Sequence, residues 1–113
     1  MDPVIGLVGP CTSGKSTIRK ILEAEGYPCR HIAQEHSFVQ DMWQLVAHPD
    51  LLVFLDVSYE ETLRRRNQDW MRAEYEEQLR RLAHARQHAD LVIMTDGLAP
   101  EAIAEKILRL FSP

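Results

Sequence analysis

Gly9, Gly14, Lys15 and Ser16 stand at fixed spacing in VIGLVGPCTSGKST, residues 4–17, which satisfies G-x-x-x-x-G-K-[ST] at every fixed position. The glycines let the backbone turn and come close to an anion with no Cβ in the way. Successive N–H groups and a helix N-terminus would then surround that anion with donors. Lys15 adds a full positive charge for outer phosphates, and the Ser16 hydroxyl suits a magnesium ion. Pro10, Cys11, Thr12, Ser13 and Thr17 complete the loop. Cys11 is either small filler or a thiol open to oxidation.

A polyphosphate with magnesium also needs a carboxylate. HIAQEHS offers Glu35, beside His36, and LLVFLD offers Asp56. The residues alone leave both open, and Glu35 has the plain alternative of an exposed loop carboxylate. His36 and Asp41 fit surface chemistry.

Seven of the thirteen Lys and Arg lie between Arg64 and Arg86, so any attraction for a polyanion is local. Glu76 and Glu77 stand four residues before Arg80 and Arg81, the favourable order for solvent-facing helix pairs. Arg64, Arg65 and Arg66 have acids only at Glu60 and Glu61 and are better placed to clamp phosphate bidentately. Arg72 is a weaker candidate.

The elements that must position these groups alternate. Residues 4–8 read as a buried strand, and 15–25 as a helix with Ile18, Ile21 and Leu22 on one face and Gly26 as a left-handed stop. A weak strand is expected over 30–33. A helix follows over 38–48, with Val39, Met42, Trp43 and Val46 inward and Pro49 at its end. Residues 51–57 form the clearest strand.

Helix is expected over 59–88, interrupted around NQDW at 67–70. Its second part carries Met71, Tyr75, Leu79, Leu82 and Ala85 as a stripe. A last strand at 91–94 and a last helix over 99–111 follow, with Pro100 in the first turn. Trp43 belongs in the core, whereas Trp70 at the break is either structural or free to stack on a base. The alternation predicts an α/β three-layer sandwich, with a central parallel sheet of about four strands and the first strand inside.

The 113 residues fit one domain, 1–113. With 45% hydrophobic and 27% charged residues the composition is that of a globular protein, and a net charge of −4 gives no global field for DNA or RNA. Cys11 and Cys29 show no metal-ligand spacing and read as reduced thiols. Glycines interrupt the apolar run at the start, so no signal peptide is expected there. No stretch nears the roughly 20 apolar residues of a membrane span. The expectation is a cytoplasmic protein with no membrane or nucleic-acid partner, and a homodimer is left open.

The chain resembles the P-loop kinases of small molecules and nucleotides. VIGLVGPCTSGKST is similar to their first strand and phosphate loop, PDLLVFLDVSYEETLRRR to the strand and helix leading into their lid, and HADLVIMTDGLAPEAIAEKIL to their last strand, base-side loop and last helix. The resemblance implies a P-loop NTPase-type fold of reduced size that takes ATP, or another NTP, with Mg²⁺. Gly9, Gly14, Lys15, Ser16 and Thr17 would contact phosphates and metal, and Arg64, Arg65 or Arg66 would close over the transferring group. Asp96 and Gly97, in the loop 96–100, would lie beside the base.

In such kinases the Asp of the Leu-Asp-Val strand is not the magnesium carboxylate. QEHS looks like the acid-containing turn of deoxynucleoside kinases, so the resemblance favours Glu35 over Asp56. Two departures stand out. Ala99 replaces the usual Ser or Thr cap, which costs about 1 kcal/mol. Only residues 26–49 are available where such kinases carry an acceptor-binding insert. The expected function is a magnesium-dependent phosphotransferase with a nucleotide, nucleoside or other small acceptor. The alternative is a nucleotide-binding or slowly NTP-hydrolysing regulatory module.

Overall fold

The computed structural model describes residues 3–66 and 69–111. β1 (Ile5–Val8) leads through the glycine loop into α1 (Lys15–Ala24), and β2 (Cys29–His31) follows. A 3₁₀ turn at Gln34–His36 and a single π-helical turn at Trp43–Ala47 connect to β3 (Leu51–Asp56). Then come α2 (Tyr59–Arg65), α3 (Arg72–His88), β4 (Leu91–Met94), α4 (Pro100–Leu108) and a last 3₁₀ turn at Arg109–Phe111.

The strands form one parallel sheet in the order β2-β1-β3-β4. β1 therefore lies inside it, and all four of its residues are buried, as suits a strand covered on both faces. Alternation along the pleat sends Ile5, Leu7, Val53 and Leu55 to one face, against Ile18 and Leu22 of α1 and Ile103, Ala104 and Ile107 of α4. Val8, Leu52 and Phe54 meet Trp43, Ala47, Leu82 and Ala85 on the other. Helices on both faces give the expected three layers. Leu22 and Leu82 are fully buried on opposite sides, and truncating either to Ala would cost about 2–5 kcal/mol.

Two glycines set close approaches. A Cβ on Gly6 would sit 2.8 Å from the Pro49 ring and 2.9 Å from Ile32, so the segment before β3 can pack directly on β1. Gly26 has φ 92 just past α1, with Gly26 N–H donating to Glu23 O and Tyr27 N–H to Leu22 O. That pair of bonds is a Schellman stop, as the sequence predicts.

Several boundaries differ from expectation. β2 begins at Cys29 and ends at His31, because its register against Ile5, Gly6 and Leu7 sets the pairing. Residues 38–48 do not form an amphipathic helix. The Gln34 side chain accepts from Trp43 N–H at 2.8 Å and donates to Val39 O at 2.8 Å, holding the backbone in a turn. Trp43 is buried as expected, but Val39 and Val46 are exposed. Met71 is exposed too, in extended conformation before α3, so the buried stripe starts at Tyr75 and leaves Leu79 half-buried. A break does separate α2 from α3; of the expected NQDW interruption, Asn67 and Gln68 lie outside the described residues.

Candidate functional site

The loop between β1 and α1 is built from close backbone contacts. Gly9 passes so near β3 that a Cβ there would run into the Leu55 carbonyl. Ser13 N–H turns inward to Pro10 O, and Cys11 N–H donates to Gln78 Oε1 at 2.9 Å. Thr12 has φ 68, a strained setting for a β-branched residue, and Gly14 caps α1 with φ 97. The first intrahelical bond runs from Ile18 N–H to Gly14 O, so the amides of Gly14, Lys15, Ser16 and Thr17 precede the ladder. No acidic residue occupies the first turn of α1, and its positive end is uncompensated there.

Lys15 folds back under this loop. Its Nζ donates to Gly9 O at 2.5 Å, Pro10 O at 3.3 Å and Glu35 Oε2 at 2.8 Å. Lys15 and Glu35 are each at least nine-tenths buried, and the 3₁₀ turn after β2 is what brings the carboxylate to the ammonium. Ser16 Oγ lies 3.2 Å from His31 Nδ1. Burial holds His31 below its ordinary value of 6.5, Lys15 and Arg19 push the same way, and Glu35 opposes them. The neutral ring is therefore favoured at pH 7, and in the tautomer with its proton on Nε2 the Ser16 O–H donates to Nδ1 while the serine oxygen keeps lone pairs for a cation.

A cleft of about 320 Å³ is lined by Cys11, the loop through Thr17, His31 and Glu35. Thr12 Oγ1, Ser13 Oγ and Glu35 Oε1 are buried without a hydrogen-bond partner. Two unused hydroxyls and an unused carboxylate oxygen at one loop fit a phosphate with a divalent ion. Of the expected magnesium ligands, Ser16 and Glu35 share this cleft. Asp56 is engaged elsewhere: Oδ1 accepts from Val57 N–H and Oδ2 pairs with Arg86 at 2.8 Å.

Of the three neighbouring arginines, Arg65 reaches the loop. It donates to Thr12 O at 2.9 Å and to Thr95 Oγ1 and O at 3.2 and 3.1 Å. Arg64 pairs with Glu61 at the surface, and the Arg66 guanidinium lies over the Trp70 ring. Arg64 and Arg65 are consecutive in the last turn of α2 and so point in different directions, and Arg66 is the extended residue that follows the helix. Trp70 itself is buried, donating to Thr62 Oγ1 at 2.8 Å and meeting Tyr75 edge-on, so it is structural.

A second cleft, of about 440 Å³, runs from Thr12, Ser13, Gly14 and Thr17 past Arg65 to Leu98, Pro100 and Ile103. Asp96 and Gly97 lie next to it in sequence. The Asp96 carboxylate accepts from Ser58 N–H at 3.0 Å. Burial works to raise its pKa, but the Ser58 hydrogen bonds, Arg65 and Arg64 hold it below the usual carboxylate range.

Two positioning residues escape the sequence reading, and a third, Arg81, departs from its expected solvent-facing pair. Gln78 brackets Cys11, accepting from its N–H and donating to its Sγ at 3.1 Å. Gln34, fully buried, fixes the segment after Glu35. Arg81 does not pair with Glu77; it donates to Glu35 O at 3.4 Å and covers the Phe38 ring, while Arg80 takes Glu77 at 2.9 Å. Gln78 left a trace, as a polar residue on the buried side of α3 between Tyr75 and Leu82.

Comparison with known proteins adds no relative: no family model matches the chain, and no curated protein matches it.

Proposed function

We propose that this protein is a P-loop kinase-type phosphotransferase of reduced size, binding ATP or another NTP with Mg²⁺ and acting on a small nucleotide, nucleoside or other small acceptor. The observation that carries the reading is the loop itself. A strand-to-helix turn with the G-x-x-x-x-G-K-S pattern sets Lys15 and a buried, half-unpartnered Glu35 beside a cleft. Phosphates would lie at the amides of Gly14 to Thr17, with Lys15 turning from Gly9 O and Glu35 to meet them. Mg²⁺, when bound, would neutralise phosphate charge, and Ser16 and Glu35 are the residues that would hold it. The base would occupy the cleft by Leu98 and Pro100, and Arg65 would contribute its charge above the loop. Two free cysteines and, among the described residues, no helix long and apolar enough to cross a membrane suit a cytoplasmic setting.

The test is Mg-ATP and Mg-GTP binding by calorimetry, followed by γ-phosphoryl transfer to a panel of nucleosides, nucleotides and small alcohols. Transfer lost in Lys15→Ala, Glu35→Gln and Arg65→Ala supports the kinase. Binding with no transfer favours the regulatory module, a reading that the short stretch between β2 and β3 supports. No binding of either nucleotide refutes both.

A further inference from the structure

The geometry points to a site for a thiophilic divalent transition-metal ion, Zn²⁺ in chemical class, held by Cys11, Glu35 and His36 at the mouth of the glycine loop. One ligand atom from each lies within 4.8 Å of the others. Cys11 Sγ is 3.7 Å from His36 Nε2, and His36 Nε2 is 3.8 Å from Glu35 Oε2. Tetrahedral zinc with ordinary Zn–S and Zn–N or Zn–O bonds sets its ligand atoms about 3.3–3.6 Å apart. Two of the separations are thus within a few tenths of an ångström of that spacing, the third lies within 4.8 Å, and His36, 60% exposed, is free to move as the ligands close on the ion.

A second observation points to a ligand independently. Glu35 is at least nine-tenths buried, and its Oε1 has no hydrogen-bond partner. Lys15 and the 3.8 Å approach of His36 both fall on the other oxygen, Oε2, so the carboxylate meets the ion either by turning Oε1 towards His36 or by sharing Oε2 with Lys15. Around the sulfur, Gln78 Nε2 donates to Cys11 Sγ and orients it. Thiolate and carboxylate together offset the charge of a divalent ion, and the thiol proton is released to solvent as the Zn–S bond forms.

A sulfur, an imidazole nitrogen and a carboxylate suit zinc and exclude magnesium, which demands near-octahedral oxygen ligation. Three protein ligands leave a fourth position for water, with the cleft lined by Cys11 and Glu35 alongside. The site stands on these three side chains and does not depend on nucleotide binding, although Glu35 would serve both.

The experiment is titration of the full chain with Co²⁺ as a spectroscopic probe, then competition of Zn²⁺ against a chromogenic chelator. The expected result is one ion per chain, with thiolate-to-cobalt charge transfer and tetrahedral d–d bands. Cys11→Ser should abolish the charge-transfer band. His36→Ala, at an exposed position that leaves the fold intact, should weaken Zn²⁺ by at least the roughly 10–100-fold that loss of an outer-shell partner causes. Cys29→Ala should change neither readout, since the buried Cys29 lies outside the cluster. Absence of the charge-transfer band, its survival in Cys11→Ser, or unchanged Zn²⁺ affinity in His36→Ala would each overturn the site. So would binding lost in His88→Gln instead, which would move the ion to the stacked His84–His88 pair.

Discussion

Lys15 and Glu35 are the pair on which the loop's resting geometry depends, and a double-mutant cycle measures how much. Both side chains are at most 5% exposed, so solvent screens their 2.8 Å contact little. Removing one partner leaves the other charged and buried, which costs about 3 kcal/mol at the low end for such pairs. Lys15→Met and Glu35→Gln should each lose about that amount in urea denaturation at constant slope. The double variant leaves no buried charge behind; only Gly9 O and Pro10 O lose a donor, at about 1–2 kcal/mol each. Its loss should therefore be about 2–4 kcal/mol, short of the roughly 6 kcal/mol sum of the singles, for a coupling of about 2–4 kcal/mol. Single losses that add to within about 0.5 kcal/mol would refute a coupled buried pair.

Further outcomes follow from other contacts. Ala99 caps α4 without a side-chain hydrogen bond, so Ala99→Ser should add about 1 kcal/mol and raise Tm by about 4 °C in a thermal melt. His31 titrates below 6.5 in the fold, so the unfolded chain binds more protons as pH falls through that value. Stability should decline below about pH 6.5 and level off once the folded pKa is passed, and His31→Asn should flatten that part of the profile. Burial, with Glu23 adding to it, pushes the Cys29 thiol up to about 12 against an ordinary 9.0, a roughly thousandfold smaller thiolate fraction. Iodoacetamide at neutral pH should therefore modify Cys11 in the native protein and reach Cys29 only on unfolding, as mass spectrometry of the digest would show.

Much of the frame is legible in the sequence because it rests on local rules. The apolar run LLVFLD, the Gly26 stop and the Pro100 start each determine an element with little help from elsewhere. The loop pattern likewise identifies Lys15 and Ser16 without a structure. What could not be read depends on contacts distant in the chain. Nothing local distinguishes Arg65 from Arg64 or Arg66; the choice is made by Thr12 O and Thr95, which the fold carries to its side. Val39 and Val46 fit a helical face, yet the buried Gln34 amide substitutes for the helix ladder and turns them outward. Composition and spacing leave Glu35 and Asp56 both open, and only resemblance favours Glu35; in the fold, β2 and the turn after it aim Glu35 at Lys15, while Arg86 engages Asp56.

The strand order also governs how the chain must fold. Each ladder is parallel and joins residues far apart in sequence: Ile5 with Cys29 and Leu51, Val53 with Leu91. Among the described strands no hairpin can form early and template the rest, so loop-closure entropy must be met before any strand pair is gained. Folding should then be slow for a chain of this size, in the range of mixed α/β domains rather than helical bundles. β1 and β3 form the central pair, and the segment carrying Gly9 and Lys15 acquires its shape only when β3 docks and Leu55 closes against it.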